Sequence, residues 1–520
     1  MSGSEEPRYI LGVDFGSTTL SVKIYDQNAD LIAASTVKVP YVHPEPGAVE
    51  INPDAIWDLF IDAVNATFTK SDIPASKIEA FGFSCQRGTI VLWDKQTGEV
   101  CSNFISWQDR RCSKEVENYN KAWLLKTTNV LGSILYTFLR QAKFLVMKIL
   151  KYQINQASMK LAWFLDSNPE IRQAAHDGSL LFGTLDTYII WKLTKGRLHV
   201  SDASNASGTG MFDPYILQWS AIVPLLLNAP LCMFPSLCDT SGHICDIDED
   251  IFGAKIPLTA VVADTQAGAF GQLSFEPGET SCTIGTGCFF TINIGTYAHA
   301  SIHGVFPQVG WQMKEELTYL CEGNLGGVGP SLEWAQNMGF FDDVSDTSDI
   351  AQSVKDSDGV YFVPGFLGLP APFQDPFACA GMIGINRSTT KAQIVRAILE
   401  GIGFMFYELY RVVIDETKMP FHSNIKVSGG VTNNDFLMKL ISSLTGCVIE
   451  KTQEHDVSLL GAVYLAGLGA GIWKDKKELM KLDRPRSYFR PDLEMQVKYL
   501  SLHKTWQKAA KRCTGWYDKS

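Results

Sequence analysis

Two short segments rich in glycine and hydroxyl residues constrain this chain more than anything else in it. The first reads Ile10-Leu11-Gly12-Val13-Asp14-Phe15-Gly16-Ser17-Thr18-Thr19 and continues into an alternating run over residues 20–25. The second is Thr283-Ile284-Gly285-Thr286-Gly287-Cys288-Phe289-Phe290, followed by an apolar stretch to Ile294. Each predicts strand, tight polar turn, strand, because glycines and small hydroxyl side chains interrupt a period-two apolar pattern. Glycine lets the backbone approach a bulky anion; successive N–H groups then form a nest, and Ser and Thr add donors. Two such hairpins predict two related domains gripping one polyphosphate between them.

At 520 residues the chain is too long for one ordinary core, which agrees with two domains. The formal net charge of −11 argues against a nucleic-acid or anionic-membrane partner, since both favour basic surfaces. It does not argue against a nucleotide, which local backbone amides and a metal can hold. Twelve scattered cysteines, and a beginning (Met-Ser-Gly-Ser-Glu-Glu-Pro) without a basic-then-apolar signal, predict a reducing, cytoplasmic setting. No integral membrane segment is expected. Residues 216–237 are apolar but contain Pro224, Pro230 and Pro235, which fits a buried helix with loops.

Along the chain, Asn52-Pro53-Asp54 predicts a helix start, with Ile56, Trp57, Phe60, Ile61 and Val64 on one face. Residues 78–83 predict a strand entering the turn Cys85-Gln86-Arg87-Gly88-Thr89, and 116–165 read as helical. The acidic stretch 246–250 precedes a new strand at 258–263 and suggests two domains, 1–254 and 255–520. The second half repeats the logic of the first: strand, hairpin, helices, then a strand entering Ser428-Gly429-Gly430.

Phosphoryl transfer to a hydroxyl needs a polyphosphate clamp, an acid that handles metal and a base beside the acceptor oxygen. Asp14, in the first hairpin, fits a water-mediated Mg²⁺ ligand and also a turn aspartate capping its own backbone. Asp264 ends an apolar strand and begins a helix, where a carboxylate can accept a hydroxyl proton or cap the helix. Arg87 in its turn, and Trp107 within Trp107-Gln108-Asp109-Arg110-Arg111, suit a polyol held on an aromatic face and planar polar groups. A surface charge and a core Trp with a salt-bridged loop fit the same residues. No Walker A pattern, dinucleotide fingerprint, His-Glu-x-x-His or Gly-x-Ser-x-Gly is present.

Taken together, these motifs resemble the FGGY carbohydrate kinases, and within them the glycerol kinases, over residues 8–517. The resemblance is carried by Asp14 to Thr19, Cys85-Gln86-Arg87, Trp107 to Arg111, Phe182-Gly183-Thr184-Leu185-Asp186-Thr187 and Ala263-Asp264-Thr265-Gln266-Ala267. Gly285-Thr286-Gly287-Cys288-Phe289, Gly368-Leu369-Pro370-Ala371-Pro372 and Leu460-Gly461-Ala462-Val463 extend it. It implies an α/β fold of two actin-like (ribonuclease H-type) ATPase domains with the active site in the cleft between them. It implies ATP, Mg²⁺ and a small polyol, glycerol, as the molecules handled, and dimerisation through surface helices is common in the family.

By motif, Ser17, Thr18, Thr19 and Thr286 would contact the nucleotide phosphates, and Gly329, Gly430 and Asn434 would line the nucleotide side. Arg87, Trp107 and Phe289 would hold the polyol, Asp264 would be the catalytic base and Asp14 would serve Mg²⁺. Some residues depart from the family pattern. Gly88 stands where glycerol kinases carry a glutamate that binds glycerol hydroxyls, and Thr265 replaces the glutamine after the catalytic aspartate. The expected site tyrosine has no clear counterpart; Tyr136 and Tyr152 are the candidates. Each lost polar contact would cost about 1–3 kcal/mol of binding.

Overall fold

The computed structural model describes residues 6–285, 287–420, 422–482 and 484–517. The first hairpin forms as its pattern dictates: β1 (Tyr9–Phe15) and β2 (Thr19–Asp26) pair antiparallel, with Phe15 opposite Leu20. β3 (Leu31–Lys38) adds antiparallel to β2, and β4 (Ile78–Cys85) lies parallel on the other side of β1. β5 (Ser241–Asp246) and β6 (Pro257–Ala263) complete a six-stranded sheet in the order β5-β6-β4-β1-β2-β3.

The second hairpin starts the other large sheet. Its strands are β7 (Thr280–Ile284), β8 (Cys288–Gly295), β9 (Phe306–Met313), β10 (Glu316–Leu325), β11 (Asn424–Ser428), β12 (Val448–Thr452) and β13 (Arg486–Phe489). They run in the order β9-β10-β8-β7-β11-β12-β13. From β3 inward, the first sheet has two antiparallel pairings, two parallel ones and an antiparallel edge. From β10 inward the second repeats that pattern, with β9 as an extra edge strand. Short links join the antiparallel pairs β1–β2, β2–β3 and β9–β10, and the helix Val457–Gly469 lies in the chain between the antiparallel β12 and β13. The parallel strands need long crossovers, which include the helices.

The division expected at 254/255 falls one strand before the first sheet is complete. The acidic stretch that suggested it is the link between β5 and β6, a connection inside that sheet. The second sheet begins only at Thr280.

Helix α1 (Pro53–Ser71) starts where the sequence places it: the Asn52 side chain accepts the Ala55 N–H at 2.9 Å, and Ile56, Phe60 and Val64 are buried. The 116–165 region divides into α2 (Ser113–Lys121), α3 (Trp123–Leu139), α4 (Ala142–Ile149) and α5 (Ala157–Ser167). Residues 216–237, read as a buried helix with loops, make the short helix Ile222–Leu226 and the single turn Leu231–Met233, with short strands at Gln218–Trp219 and Ser236–Cys238. Prolines at 224, 230 and 235 withhold the N–H groups a longer helix would need.

Three further helices organise the centre: α6 (Asp264–Gly271), α7 (Lys391–Thr417) and α8 (Val457–Gly469). α8 is apolar on every side, with Leu459, Leu460, Val463 and Leu465 all buried, as a helix covered all round must be. It lies against β1, β4 and β6 of the first sheet and against α6, although it comes from the far end of the chain. Backbone meets backbone there: a Cβ on Gly461 would sit 1.8 Å from the Ala267 carbonyl oxygen. The apolar cluster around α8 contains Ile10 and Ala80 from one half and Trp311 and Leu320 from the other. The halves therefore share a core.

Candidate active site

β1, β4 and β6 run parallel and end in register, Phe15 beside Cys85 and Cys85 beside Ala263. The next residues in the chain are the Gly16–Thr19 turn, Gln86-Arg87 and Asp264. Carboxyl ends of parallel strands are where open α/β sheets place their ligands, because helices and loops diverge there and leave a crevice. In the second sheet β7 and β11 are likewise parallel, and Thr283 pairs with Ser428 just before Gly285 and Gly429-Gly430.

Arg87 joins the two halves. Its Nη2 donates to both carboxylate oxygens of Glu322 on β10, at 2.9 and 2.8 Å, and to Thr265 Oγ1 at 3.0 Å. Its Nε lies 3.8 Å from Asp264 Oδ1. Burial works against the guanidinium charge, and the Glu322 and Asp264 carboxylates more than restore it. Glu322 carried no signal in the sequence beyond being an acid in an apolar strand, and its partner lies 235 positions away.

Asp264 begins α6, and its Oδ1 accepts the Thr265 N–H at 2.7 Å. Its side chain keeps 31 % of its surface exposed, so it is reachable. Burial raises its pKa, opposed by the nearby Arg87 charge, and the net shift is upward. A carboxylate of raised pKa is a better proton acceptor than a free aspartate.

Phe289 and Thr291 share one face of β8, and Thr291 stands opposite Glu322; the half-buried Phe289 ring is thus on the sheet face that meets Arg87. Phe290 points the other way, into the core against Phe406. The Trp107 indole N–H donates to Ser17 Oγ at 3.0 Å, tying the aromatic of the Trp107–Arg111 loop to the first hairpin. Arg111 pairs with Asp109 and Glu50 and anchors that loop, so the salt-bridged reading and the site reading hold for different residues of it.

A Cβ at Gly88 would lie 3.3 Å from the Asn155 carbonyl oxygen and 3.5 Å from Trp107 Cβ, so that space is partly filled by the chain before α5. Of the two candidate tyrosines, Tyr152 is buried with its ring against Tyr119, and Tyr136 sits on α3 beside Arg140 and Lys148.

Around the hairpins, the Gly16 N–H donates to the Thr19 carbonyl at 3.0 Å and closes a tight turn, with Thr18 exposed and Ser17 and Thr19 half-buried. Thr286 lies outside the described residues. Gly329 sits in the first turn of the helix Val328–Asn337, where backbone N–H groups have no partner within the helix. Gly430 opens the one-turn helix Gly430–Asn433 and borders open space. Asn434 has both ends of its amide in use. Its oxygen caps the Leu437 N–H at 2.8 Å and its nitrogen donates to Thr347 Oγ1 at 2.9 Å, so the side chain fixes the turn that carries Gly430.

Asp14 is half-buried on β1, and its Oδ1 is buried without a hydrogen-bond partner among the described residues. Burial first, and the Asp264 charge second, push its pKa up to about 7. An orphaned carboxylate oxygen beside a second carboxylate fits a divalent cation, which would satisfy the one and screen the other. The ligand-free fold binds this proton more tightly than the unfolded chain, whose reference value is 3.8, so its stability falls as pH rises from about 4 to about 7. Asp14→Asn should therefore raise the melting temperature of the cation-free protein at pH 8 and change it little at pH 4. Thermal scans in EDTA at both pH values check this, and equal shifts would contradict it.

Comparison with known proteins agrees with this geometry. The model of the FGGY family of carbohydrate kinases, N-terminal domain, matches residues 9–271, and that of the C-terminal domain matches 280–470. The chain is 40% identical to glycerol kinase 5 of Danio rerio over 99% of its length and 98% of that protein. It is 35% identical to the glycerol kinase of Pseudothermotoga lettingae, covering 98% of this chain and 99% of that one. The crystal structure of Plasmodium falciparum glycerol kinase with ADP superposes with a TM-score of 0.87 at 27% identity, covering 98% of each chain. The actin-like two-domain fold follows from the same matches, and the chain belongs to the FGGY family of carbohydrate kinases.

Proposed function

We propose that this protein transfers the γ-phosphoryl group of ATP to glycerol, forming sn-glycerol 3-phosphate. The observation that carries the reading is the reachable carboxylate of Asp264, 3.8 Å from a buried arginine and at the same sheet edge as the first hairpin. The full-length likeness to glycerol kinases supports the acceptor.

Asp264 accepts the proton of the attacking hydroxyl, and its raised pKa favours that transfer. Arg87 donates hydrogen bonds to acceptor hydroxyls, Glu322 provides a carboxylate beside it, and the Trp107 and Phe289 faces cover the C–H surface of the polyol. Glu322 reaches Arg87 from the second half of the chain. Ser17, Thr18, Thr19 and the Thr286 loop present amides and hydroxyls to the phosphates, and Gly329 and Gly430 leave room for the adenosine. Mg²⁺, held through Asp14, would neutralise charge on the phosphates. Closure of the halves on each other excludes water and limits ATP hydrolysis. All twelve cysteines are free, which suits a reducing compartment such as the cytoplasm.

A coupled ADP-release assay with MgATP and a panel of polyols tests this. Glycerol-dependent release is the expected result. Release with a larger polyol or ketose alone would move the substrate, and tight ATP binding with no acceptor-dependent release would overturn the enzyme reading.

A further inference from the structure

The α3–α4 hairpin stands apart from the rest of the molecule in both polarity and packing. Only Leu125 and Gly132 of α3 are buried, and no residue of α4 is. The two helices pack mainly on each other, crossing closely at Gly132, where a Cβ would fall 2.5 Å from the Lys148 nitrogen. Trp123, Val130, Ile134 and Phe138 lie at helical spacing along one stripe of α3 and are 50–80 % exposed. A run of large apolar side chains left in water is the mark of an interaction surface.

The charge of this region is opposite to that of the chain. No Asp or Glu falls between Glu117 and Asp166, whereas Lys121, Lys126, Arg140, Lys143, Lys148 and Lys151 are all exposed there. The net charge of −11, which argues against an anionic surface as partner, averages this region away. Arg140 and Lys148 both lie over the Tyr136 ring, so cations and aromatic groups interleave. Among the described residues no helix is long and apolar enough to cross a membrane, and α3 has 17 residues.

We propose that the α3–α4 hairpin docks on the surface of an anionic phospholipid bilayer. The apolar stripe enters the boundary between headgroups and acyl chains, while the lysines and Arg140 stay at the level of the lipid phosphates. A second copy of the chain is a poor occupant, because a two-fold contact would press the same basic region against itself. The proposal does not depend on which acceptor the kinase uses.

The test is sedimentation of the purified full-length protein with vesicles of phosphatidylcholine alone and of phosphatidylcholine containing about one-third phosphatidylserine. The protein should pellet with the anionic vesicles, about tenfold or more better than with the neutral ones, and should be released by raised salt. Arg140→Glu with Lys143→Glu should weaken binding by roughly 30-fold or more, from about a fivefold contribution of each positive charge lost. Ile134→Ser with Phe138→Ser should remove it. ADP release by each variant at the level of the unaltered protein reports an intact fold, and the salt response of the unaltered protein needs no variant at all. Absence of binding, or equal binding to both vesicle types, would overturn the proposal. So would a dimer that dissociates on Phe138→Ser without any association with lipid, which would make this face a self-contact.

Discussion

Replacing Asp264 by Asn should lower glycerol-dependent ADP release by about 10²–10⁴-fold, the contribution of a positioned base to proton transfer. ATP binding should survive, because Asn keeps the shape of the side chain and an oxygen to accept the Thr265 N–H now held at 2.7 Å. The loss should fall on kcat, since the proton is accepted as the phosphoryl group transfers. In the unaltered protein kcat should decline towards acid pH as Asp264, whose pKa burial raises, takes up a proton. A variant that retains more than a tenth of the activity would assign the proton to another group.

Arg87→Ala should be costly in two ways at once. The guanidinium is the hydrogen-bond donor found for both Glu322 oxygens, and the two side chains are only 14 and 12 % exposed. Removing it strands a buried carboxylate, at about 3–5 kcal/mol. It also removes the donor proposed for the acceptor hydroxyls, so KM for glycerol should rise by about tenfold or more, as for a lost charged hydrogen bond. Arg87→Ala with Glu322→Gln separates the two effects: stability should return by a few kcal/mol while the KM stays high. Recovery of both would make the pair purely structural.

The first half of this site is readable in the chain because its signals are local. Glycines and hydroxyls in the two hairpins dictate tight turns between strands, and Asp264 stands where an apolar strand gives way to a helix. The missing parts are long-range. Glu322 looks like any acid in a β-strand until folding brings Arg87 to it. Asn434 has the residue type of a ligand contact and of a helix cap alike, and the bond from its amide nitrogen to Thr347, 87 positions away, has no local signal. The division expected at 254/255 rests on an acidic stretch, and polarity marks any exposed link, including one inside a sheet. The basic hairpin was hidden for a related reason, since a whole-chain charge has no position.

The place of α8 bears on the order in which the polypeptide is made. β1 and β4 are synthesised early, but the helix that covers Ile10 and Ala80 comes only at 457–469. At roughly 5–20 residues per second, translation leaves that apolar surface without its cover for about 20–80 s. The first sheet thus waits, with its strands already out of the ribosome, for nearly the last helix to arrive. A chain cut short before that helix would keep the first hairpin and lose the surface on which its sheet rests.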